Sequence, residues 1–310
     1  MSQPFHPGEL AVQKRAGKSS GAMIRRSIPE IAAEFLVSRP AIVIAGRDPD
    51  ERMWATMLTG EPGFMQAPDP QVMVVHARPL ASDPLARLVA TGGEVGTILW
   101  DHHGRMRVNG VLDPRADGFA VSTVQVYSNC GRYIAERHPL ETPETEPAPD
   151  ANLHEGPAAA GIGPEPNTGT ALTAAQMEVV RAADTFFIGT SHPDGPADAS
   201  HRGGNPGFID VDSPRTLRWP DYNGNAMFMT LGNITVNPRV GLLFPDWATG
   251  GMLQLSGRAR VDWDPVSAAA LAGAERVVEL TIDAVRQTEH ALDTRWSTAV
   301  LSRYNPSRAA

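Results

Sequence analysis

Three chemically versatile side chains stand together at one point of the chain, where Ser200, His201 and Arg202 are followed by two glycines. A hydroxyl, an imidazole and a planar guanidinium beside unshielded backbone amides can bind a phosphate or the electron-rich edge of a ring. Residues 219–233 carry a second set of hydrogen-bonding side chains among aromatic and apolar ones, namely Asp221, Asn223, Asn225, Thr230 and Asn233. This second set is either a polar hairpin turn or part of a ligand site.

The same stretch of sequence occurs earlier in the chain without the polar groups. Residues 199–208 read ASHRGGNPGF and residues 55–64 read ATMLTGEPGF, so Thr56, Met57 and Leu58 replace the serine, histidine and arginine. Self-similarity at one offset, here about 145 residues, indicates two copies of one structural unit. Three further anchors support the repeat and pair residues 62–65 with 206–209, 95–100 with 240–245, and 108–110 with 255–257.

Short strands must position these groups, because apolar runs of strand length recur between Gly, Pro, Asp and Asn. This pattern predicts a small antiparallel barrel in each copy. The predicted strands of the first copy are 41–45, 53–58, 71–76, 95–100, 106–112 and 121–127, and those of the second are 185–190, 197–201, 208–211, 216–219, 226–230, 240–244, 252–261 and 276–285. A helix is predicted before each set, at 29–37 and at 173–183, where Thr173 and Gln176 form a capping box. The fold class is therefore α+β and mainly antiparallel β.

The chain divides into two domains and a linker. Residues 1–140 are predicted to form a first barrel with a helical leader and a degenerate site, and residues 171–310 a second, ligand-binding barrel. The linker, 141–170, begins with the Pro/Glu run ETPETEPAPD and continues rich in Gly, Pro and Ala. A chain of 310 residues, of which 42% are hydrophobic, can build two cores.

The composition of the chain excludes several classes of binding partner. A formal net charge of −8 opposes nucleic acid, whose phosphates require clustered Lys and Arg. No apolar run is long enough for a membrane span, and no signal peptide is found, so we expect a cytoplasmic protein without membrane contact. The single cysteine, Cys130, excludes an internal disulfide and fits a reducing compartment. The turn at 101–104, with His102 and His103, is read as an ordinary surface turn, so no metal is predicted.

The second copy resembles a known family. Residues 207–244, GFIDVDSPRTLRWPDYNGNAMFMTLGNITVNPRVGLLF, followed by LQLSGRARV at 253–261, resemble the flavin-binding half of the pyridoxamine 5′-phosphate oxidase-like superfamily of split β-barrels. The match is to its bacterial flavin-nucleotide-binding branch, with Ser-x-Arg-Gly, Pro-Asp-x-x-Gly-Asn and Asn-Pro-Arg-Val-Gly-Leu-Leu-Phe in this order. The leader FHPGELAVQKRAG at 5–17 also resembles that branch.

The resemblance implies where a cofactor lies. Members usually hold FMN between two barrels, with the phosphate bound by a basic side chain and a hydroxyl or amide side chain. Carried over to this sequence, the cofactor-binding residues are Ser200, His201, Arg202, Gly203, Asp221, Asn225, Thr230 and Asn233. The Arg-x-x-x-x-Lys strand and the Ser-Arg-Lys phosphate cluster of the true pyridoxamine phosphate oxidases are not found, so that reaction itself is not implied.

The resulting expectation is an FMN-dependent oxidoreductase that acts on a small organic substrate by hydride or electron transfer. Two fused barrels would imitate the homodimer of single-barrel relatives as a pseudo-dimer, with one FMN per chain because the first copy lacks the arginine. The chain would be a monomer or a homodimer, and a redox partner protein is compatible with it. Other open functions are a deazaflavin-dependent reductase, a haem protein with His201 as axial ligand, and a non-enzymatic flavin carrier. No catalytic acid or base is assigned.

Overall fold

The computed structural model describes residues 5–140, 164–193 and 195–307, and antiparallel strands are the most frequent regular element in these ranges. One sheet is built from the first copy, in the order β2-β1-β5-β6-β7-β4-β3. Its strands are β1 (Ala41–Arg47), β2 (Met53–Thr59), β3 (Met65–Asp69), β4 (Val72–Val75), β5 (Gly93–Trp100), β6 (Gly104–Arg115) and β7 (Gly118–Cys130). The short strand β8 (Pro139–Leu140) follows and pairs with the late strand β17 (Arg295–Trp296).

The second copy builds another sheet with an equivalent order, β11-β10-β14-β15-β16-β13-β12. Its strands are β10 (Thr185–Ser191), β11 (Ala197–Gly203), β12 (Asp210–Ser213), β13 (Thr216–Asp221), β14 (Arg239–Pro245), β15 (Met252–Asp262) and β16 (Arg276–Thr288), and β9 (Asn167–Gly169) pairs with β16. Even the β-bulges correspond, since the register shifts between Asn109 and Gly110 in one sheet and between Ser256 and Gly257 in the other. The repeated anchors in the sequence therefore mark equivalent places in two sheets.

Neither of the two predicted split barrels is closed in the described ranges. The outermost strands, β2 and β3 in one sheet and β11 and β12 in the other, are not paired with each other, so each sheet is an open path. Closure would require the two edges to meet in register. Instead, β11 packs against β5 and β6 of the first sheet, and β2 packs against β14 of the second. The edges are thus used for contact between the copies.

Helices flank the sheets, and they are α1 (Pro7–Arg15), α2 (Glu30–Val37), α3 (Ala86–Thr91), α4 (Ala174–Ala182), α5 (Met229–Val236) and α6 (Pro265–Ala269). The two predicted helices are confirmed as α2 and α4, and Thr173 and Gln176 form the predicted capping box. The strand predicted at 226–230 was wrong, because Ala226 and Phe228 adopt a positive φ of 57° and α5 begins at the next residue. A short apolar run does not distinguish a strand from a buried helix.

The three largest of the four hydrophobic clusters in the described ranges form the cores of the molecule. One fills each sheet's own core, and a third joins β1, β2 and β5 to β10, β11 and β14. The contact between the sheets is reciprocal: a Cβ on Gly96 would lie 2.5 Å from Asp198 Cα, and a Cβ on Gly241 would lie 2.5 Å from Trp54 Cα. Only glycine permits this approach at either place, so the two sheets meet closely and in equivalent ways.

No helix in the described part of the chain is long and apolar enough to cross a membrane. Most of the predicted linker, residues 141–163, lies outside the described residues, and its remainder includes β9.

Helix α1 packs against α5 and buries a carboxyl group there. Glu9 is 2% exposed, its Cγ would lie 2.5 Å from a Cβ placed on Gly232, and its carboxylate accepts a hydrogen bond of 2.8 Å from the His6 backbone N–H. Burial, with the negative charge of Asp198 adding to it, raises the pKa of Glu9 from 4.5 to about 8. The carboxyl group therefore caps the first turn of its own helix, and its raised pKa keeps it protonated at neutral pH.

This raised pKa predicts a pH dependence of stability. Between pH 4.5 and about 8 the folded chain holds a proton on Glu9 that the unfolded chain has released, so the free energy of unfolding falls as pH rises through this window. Glu9→Gln keeps an acceptor for His6 and should flatten the profile, making the variant the more stable protein above pH 8. Urea unfolding at pH 5, 7 and 9 measures the free energy of unfolding of both proteins. The same dependence of this free energy on pH in the parent and in Glu9→Gln would contradict the prediction.

Candidate functional site

A cavity of about 130 Å³ lies between the two sheets. All the residues predicted to bind a cofactor border it except Asn233; they are Ser200, His201, Arg202, Gly203, Asp221, Asn225 and Thr230. The first copy contributes side chains from β6 and β7 that the sequence analysis did not include, namely Arg105, Arg107, Tyr127 and Asn129. The site is therefore built by both copies.

A buried ion pair across the sheets forms its centre. Nη1 of Arg107 lies 2.9 Å from both carboxylate oxygens of Asp198, and Nη2 donates to Ser200 Oγ at 2.6 Å. The Tyr127 hydroxyl and the Asn109 amide donate to the same carboxylate at 2.8 and 3.1 Å. Burial alone would lower the pKa of Arg107, but the Asp198 carboxylate outweighs burial and raises it. The carboxylate is thus fully engaged within the protein.

Arg202 adds a second guanidinium to this centre. Its Nη1 donates to Ser200 Oγ at 2.8 Å and to the His201 carbonyl at 3.0 Å, and neither acceptor carries a charge. Burial lowers the pKa of Arg202; the negative charge of Asp221 opposes this shift, and the positive charge of Arg107 adds to it. The Arg202 charge is therefore poorly neutralised.

Arg105 adds a third guanidinium to this centre. It donates to the carbonyls of Cys130 and Arg132 at 2.9 and 2.6 Å, and to Nδ1 of His201 at 2.9 Å. Burial lowers the pKa of Arg105 to about 9, with the positive charges of Arg107 and Arg202 adding to the effect. All acceptors of Arg105 are neutral.

The site consequently has an excess of positive charge. Arg105, Arg107 and Arg202 all line the cavity, and of the three only Arg107 is paired with a carboxylate of the described residues, that of Asp198. Asp221, the acidic side chain among the residues that line the cavity, is held by Arg276 at 2.6 and 2.9 Å. Buried charges require partners, and guanidinium groups match phosphate oxygens in geometry and charge. An anionic ligand, above all a phosphate, suits this cluster.

The remaining predicted residues take different positions. Asn225 accepts a hydrogen bond from the Met227 N–H at 3.0 Å and so shapes the turn before α5, whereas Thr230 lies in the first turn of that helix. Asn233, one turn later, lies 3.0 Å from His6 Nε2 and donates to Thr190 Oγ1 at 3.0 Å. It therefore joins α1 to β10 and lies outside the set of side chains that line the cavity.

Sequence reasoning missed the arginines of the first copy, although a signal existed. Positions 105, 107 and 109 are polar, and the alternate positions Met106 and Val108 are buried and apolar. Alternate residues of a strand share one face. This pattern predicts a strand with one polar face, but not that the face is turned toward the second copy.

The equivalent place in the other half of the molecule is filled by the chain itself. Thr56 and Gln254 correspond to Ser200 and Arg107, and both bind Asp83: Thr56 Oγ1 donates to its carboxylate at 2.6 Å, and Gln254 Nε2 donates at 3.1 Å. Asp83 is 9% exposed. A carboxylate of the protein thus occupies the position that, at the candidate site, is open to an anion from outside.

The residues of the cavity fit the phosphate of a flavin nucleotide, but its present size restricts the rest of the cofactor. Pockets that enclose a drug-sized ligand measure about 300 to 1,000 Å³, more than the 130 Å³ found here. The cavity in this structure is therefore smaller than a pocket that encloses a whole flavin nucleotide.

The site suits haem and metal ions less well. His201 is 4% exposed, and its Nδ1 already accepts a hydrogen bond from Arg105. Within the described ranges, no group of three or more His, Cys, Asp or Glu residues is placed to hold a metal ion.

One family model matches the second copy. Residues 172–295 match the family model described as pyridoxamine 5′-phosphate oxidase, which confirms the resemblance found in the sequence. No curated protein sequence matches the chain.

Several solved structures are similar to part of the chain, each over little more than a third of its length. HupZ from Group A Streptococcus is 12% identical, with 36% of this chain and 90% of that chain covered and a TM-score of 0.31. A protein from Clostridium acetobutylicum related to general stress protein 26 is 14% identical, with 40% and 92% covered and a TM-score of 0.29. The FAD binding protein from Mycobacterium smegmatis is 15% identical, with 39% and 99% covered and a TM-score of 0.28.

Proposed function

We propose that this chain, whose second copy is pyridoxamine 5′-phosphate oxidase-like, binds one FMN between its two sheets and acts as an FMN-dependent oxidoreductase on a small organic substrate. The observation that carries the proposal is the cluster of Arg105, Arg107 and Arg202 at the cavity, of which only Arg107 is paired with a carboxylate in the described ranges, that of Asp198. A flavin nucleotide supplies the negative charge that this cluster lacks. It also accounts for buried arginines in a protein whose formal net charge is −8.

Within this proposal the residues of the chain have separate tasks. Arg202, Arg105 and the Ser200 hydroxyl hold the phosphate, whereas Arg107 is anchored to Asp198 and fixes the two sheets against each other. Asn225 and Thr230 border the opposite side of the cavity and contact the remainder of the cofactor. When bound, the flavin supplies hydride or electron transfer, and the protein orients it.

The two-domain arrangement belongs to the same proposal. Two units, 1–140 and 171–310, would form a pseudo-dimer within one chain, which acts in the cytoplasm as a monomer or as a homodimer. The equivalent strand orders and the reciprocal contacts of Gly96 and Gly241 support it. The binding of Asp83 by Thr56 and Gln254 supports a single cofactor site per chain.

Titration of the purified protein with FMN tests the function. We expect saturation close to one FMN per chain. Quenching of flavin fluorescence and the absorbance spectrum of the loaded protein measure the binding. A stoichiometry near two would contradict the single site. If the protein binds haem or a deazaflavin in preference to FMN, that molecule and not FMN is its cofactor. Tight FMN binding without reduction by any small organic donor would favour a flavin carrier over an enzyme.

A further inference from the structure

A second, much smaller cavity also borders His201. Its volume is about 20 Å³, and its walls are the indole rings of Trp100, Trp247 and Trp296 together with Thr185 and other side chains. A cavity needs about 10 to 15 Å³ to hold one water molecule, and the water needs two to four polar partners. The volume therefore allows one water molecule.

Three buried polar atoms at this cavity have no hydrogen-bond partner within the described part of the chain: His201 Nε2, Thr185 Oγ1 and Trp296 Nε1. The three residues are 4%, 4% and 8% exposed. Thr185 is two residues from Phe187, which lies directly opposite His201 in the β10–β11 ladder, so Thr185 and His201 are diagonal neighbours on one face. Unpaired buried polar groups are costly, and a shared partner removes the cost.

The contact with Arg105 determines which nitrogen of His201 carries the hydrogen. A guanidinium can only donate, so Nδ1 of His201 is the acceptor in their 2.9 Å hydrogen bond. A neutral His201 must therefore carry its hydrogen on Nε2. The cavity then contains two N–H donors, from His201 and Trp296, and one hydroxyl, from Thr185. One water molecule matches this set, because it can accept two hydrogen bonds and donate a third.

We propose that a single water molecule occupies this cavity, accepts hydrogen bonds from His201 Nε2 and Trp296 Nε1, donates to Thr185 Oγ1, and thereby holds His201 as the neutral tautomer that positions Arg105 in the candidate site. His201 is then a positioning residue that acts through Arg105. The charged groups that face it, Arg105, Arg202, Arg137 and Arg107, are all positive. Burial, together with these charges, lowers the pKa of His201 far below its ordinary value.

Nuclear magnetic resonance of the full chain, labelled with ¹⁵N at histidine, tests the tautomer without any cofactor. The His201 signals are identified by their loss in His201→Gln. We expect hydrogen on Nε2, a bare Nδ1 and no imidazolium between pH 5.5 and 8.5. Hydrogen on Nδ1, or titration of His201 within this range, would overturn the proposal.

The water molecule has its own test. The Nε2 hydrogen should exchange slowly with solvent and show a cross-peak to a bound water, and Thr185→Val should abolish that cross-peak by removing the acceptor. The matched control, Thr59→Val, changes the same group at the end of β2 in the other sheet and should leave the cross-peak intact. An unchanged cross-peak in Thr185→Val, or none in the parent, would refute the bound water.

The effect on Arg105 rests on the proposed function and is measured as FMN affinity. His201→Asn retains an oxygen acceptor for Arg105 and should bind FMN within about threefold of the parent, whereas His201→Leu should lose about tenfold or more. If His201→Leu binds as tightly as the parent, or Asn is no better than Leu, the positioning role is refuted. If the parent itself does not bind FMN, the proposed function fails, and the resonance experiment still decides the tautomer and the water.

Discussion

Replacement of Arg107 by leucine is expected to lower the free energy of unfolding by about 3 to 5 kcal/mol. The Asp198 side chain is 3% exposed, and Arg107 provides its only described ion pair. Without Arg107 the carboxylate keeps only neutral donors, Tyr127 and Asn109, and remains charged and buried. Urea unfolding at pH 7, followed by circular dichroism, measures the loss.

The matched control is a second substitution at the partner. Arg107→Leu combined with Asp198→Asn removes the unpaired charge and should recover part of the lost stability. Gln254→Leu changes the position equivalent to Arg107. It removes hydrogen bonds but breaks no ion pair, so it should lower the free energy of unfolding by less, about 1 to 3 kcal/mol. If Arg107→Leu costs less than Gln254→Leu, the ion pair does not stabilise the contact between the sheets.

Arg202→Ala is expected to weaken FMN binding by about tenfold or more, because it removes a charge-assisted contact worth about 1.5 to 3 kcal/mol. The apoprotein should remain about as stable as the parent, since the substitution also relieves repulsion from Arg107. Arg202→Lys should recover only part of the affinity, because an ammonium lacks the planar fork of the guanidinium. Fluorescence quenching of FMN measures all three proteins.

Leu58→Ala, at the position equivalent to Arg202, provides the control for that experiment. Leu58 is 4% exposed and belongs to the core of the first sheet. Its truncation should cost about 2 to 5 kcal/mol of stability but leave FMN affinity unchanged. If Arg202→Ala folds and binds FMN as tightly as the parent, the phosphate is not bound by Arg202, and the site must be sought between Asp221 and Thr230.

The sequence was sufficient to predict the repeat and most strands, because each strand is a short apolar run that ends at turn residues. Two features escaped it for physical reasons. A sheet closes into a barrel only if its two edge strands pair. The residue pattern within β2 or β11 does not predict whether that pairing occurs. The α5 helix begins after Ala226 and Phe228, two non-glycine residues with positive φ, a conformation that such residues rarely adopt and that no local pattern predicts.

Only half of the candidate site could be predicted in the same way. Ser200, His201 and Arg202 stand beside glycines in a recognisable motif, so their side chains were found directly. Arg105 and Arg107 are spaced like the outward residues of any half-exposed strand. Their burial arises from the packing of β6 against β11, and that contact joins residues about 95 positions apart.

The closure of the equivalent place by Asp83 shows what a single polypeptide permits during evolution. In an assembly of two identical chains, every substitution appears twice, so a change that seals one site must seal the other. Here Thr56 and Ser200, or Gln254 and Arg107, are encoded separately. The two halves can therefore differ, so that one carries packing residues such as Met57 where the other carries the polar and charged side chains of the candidate site.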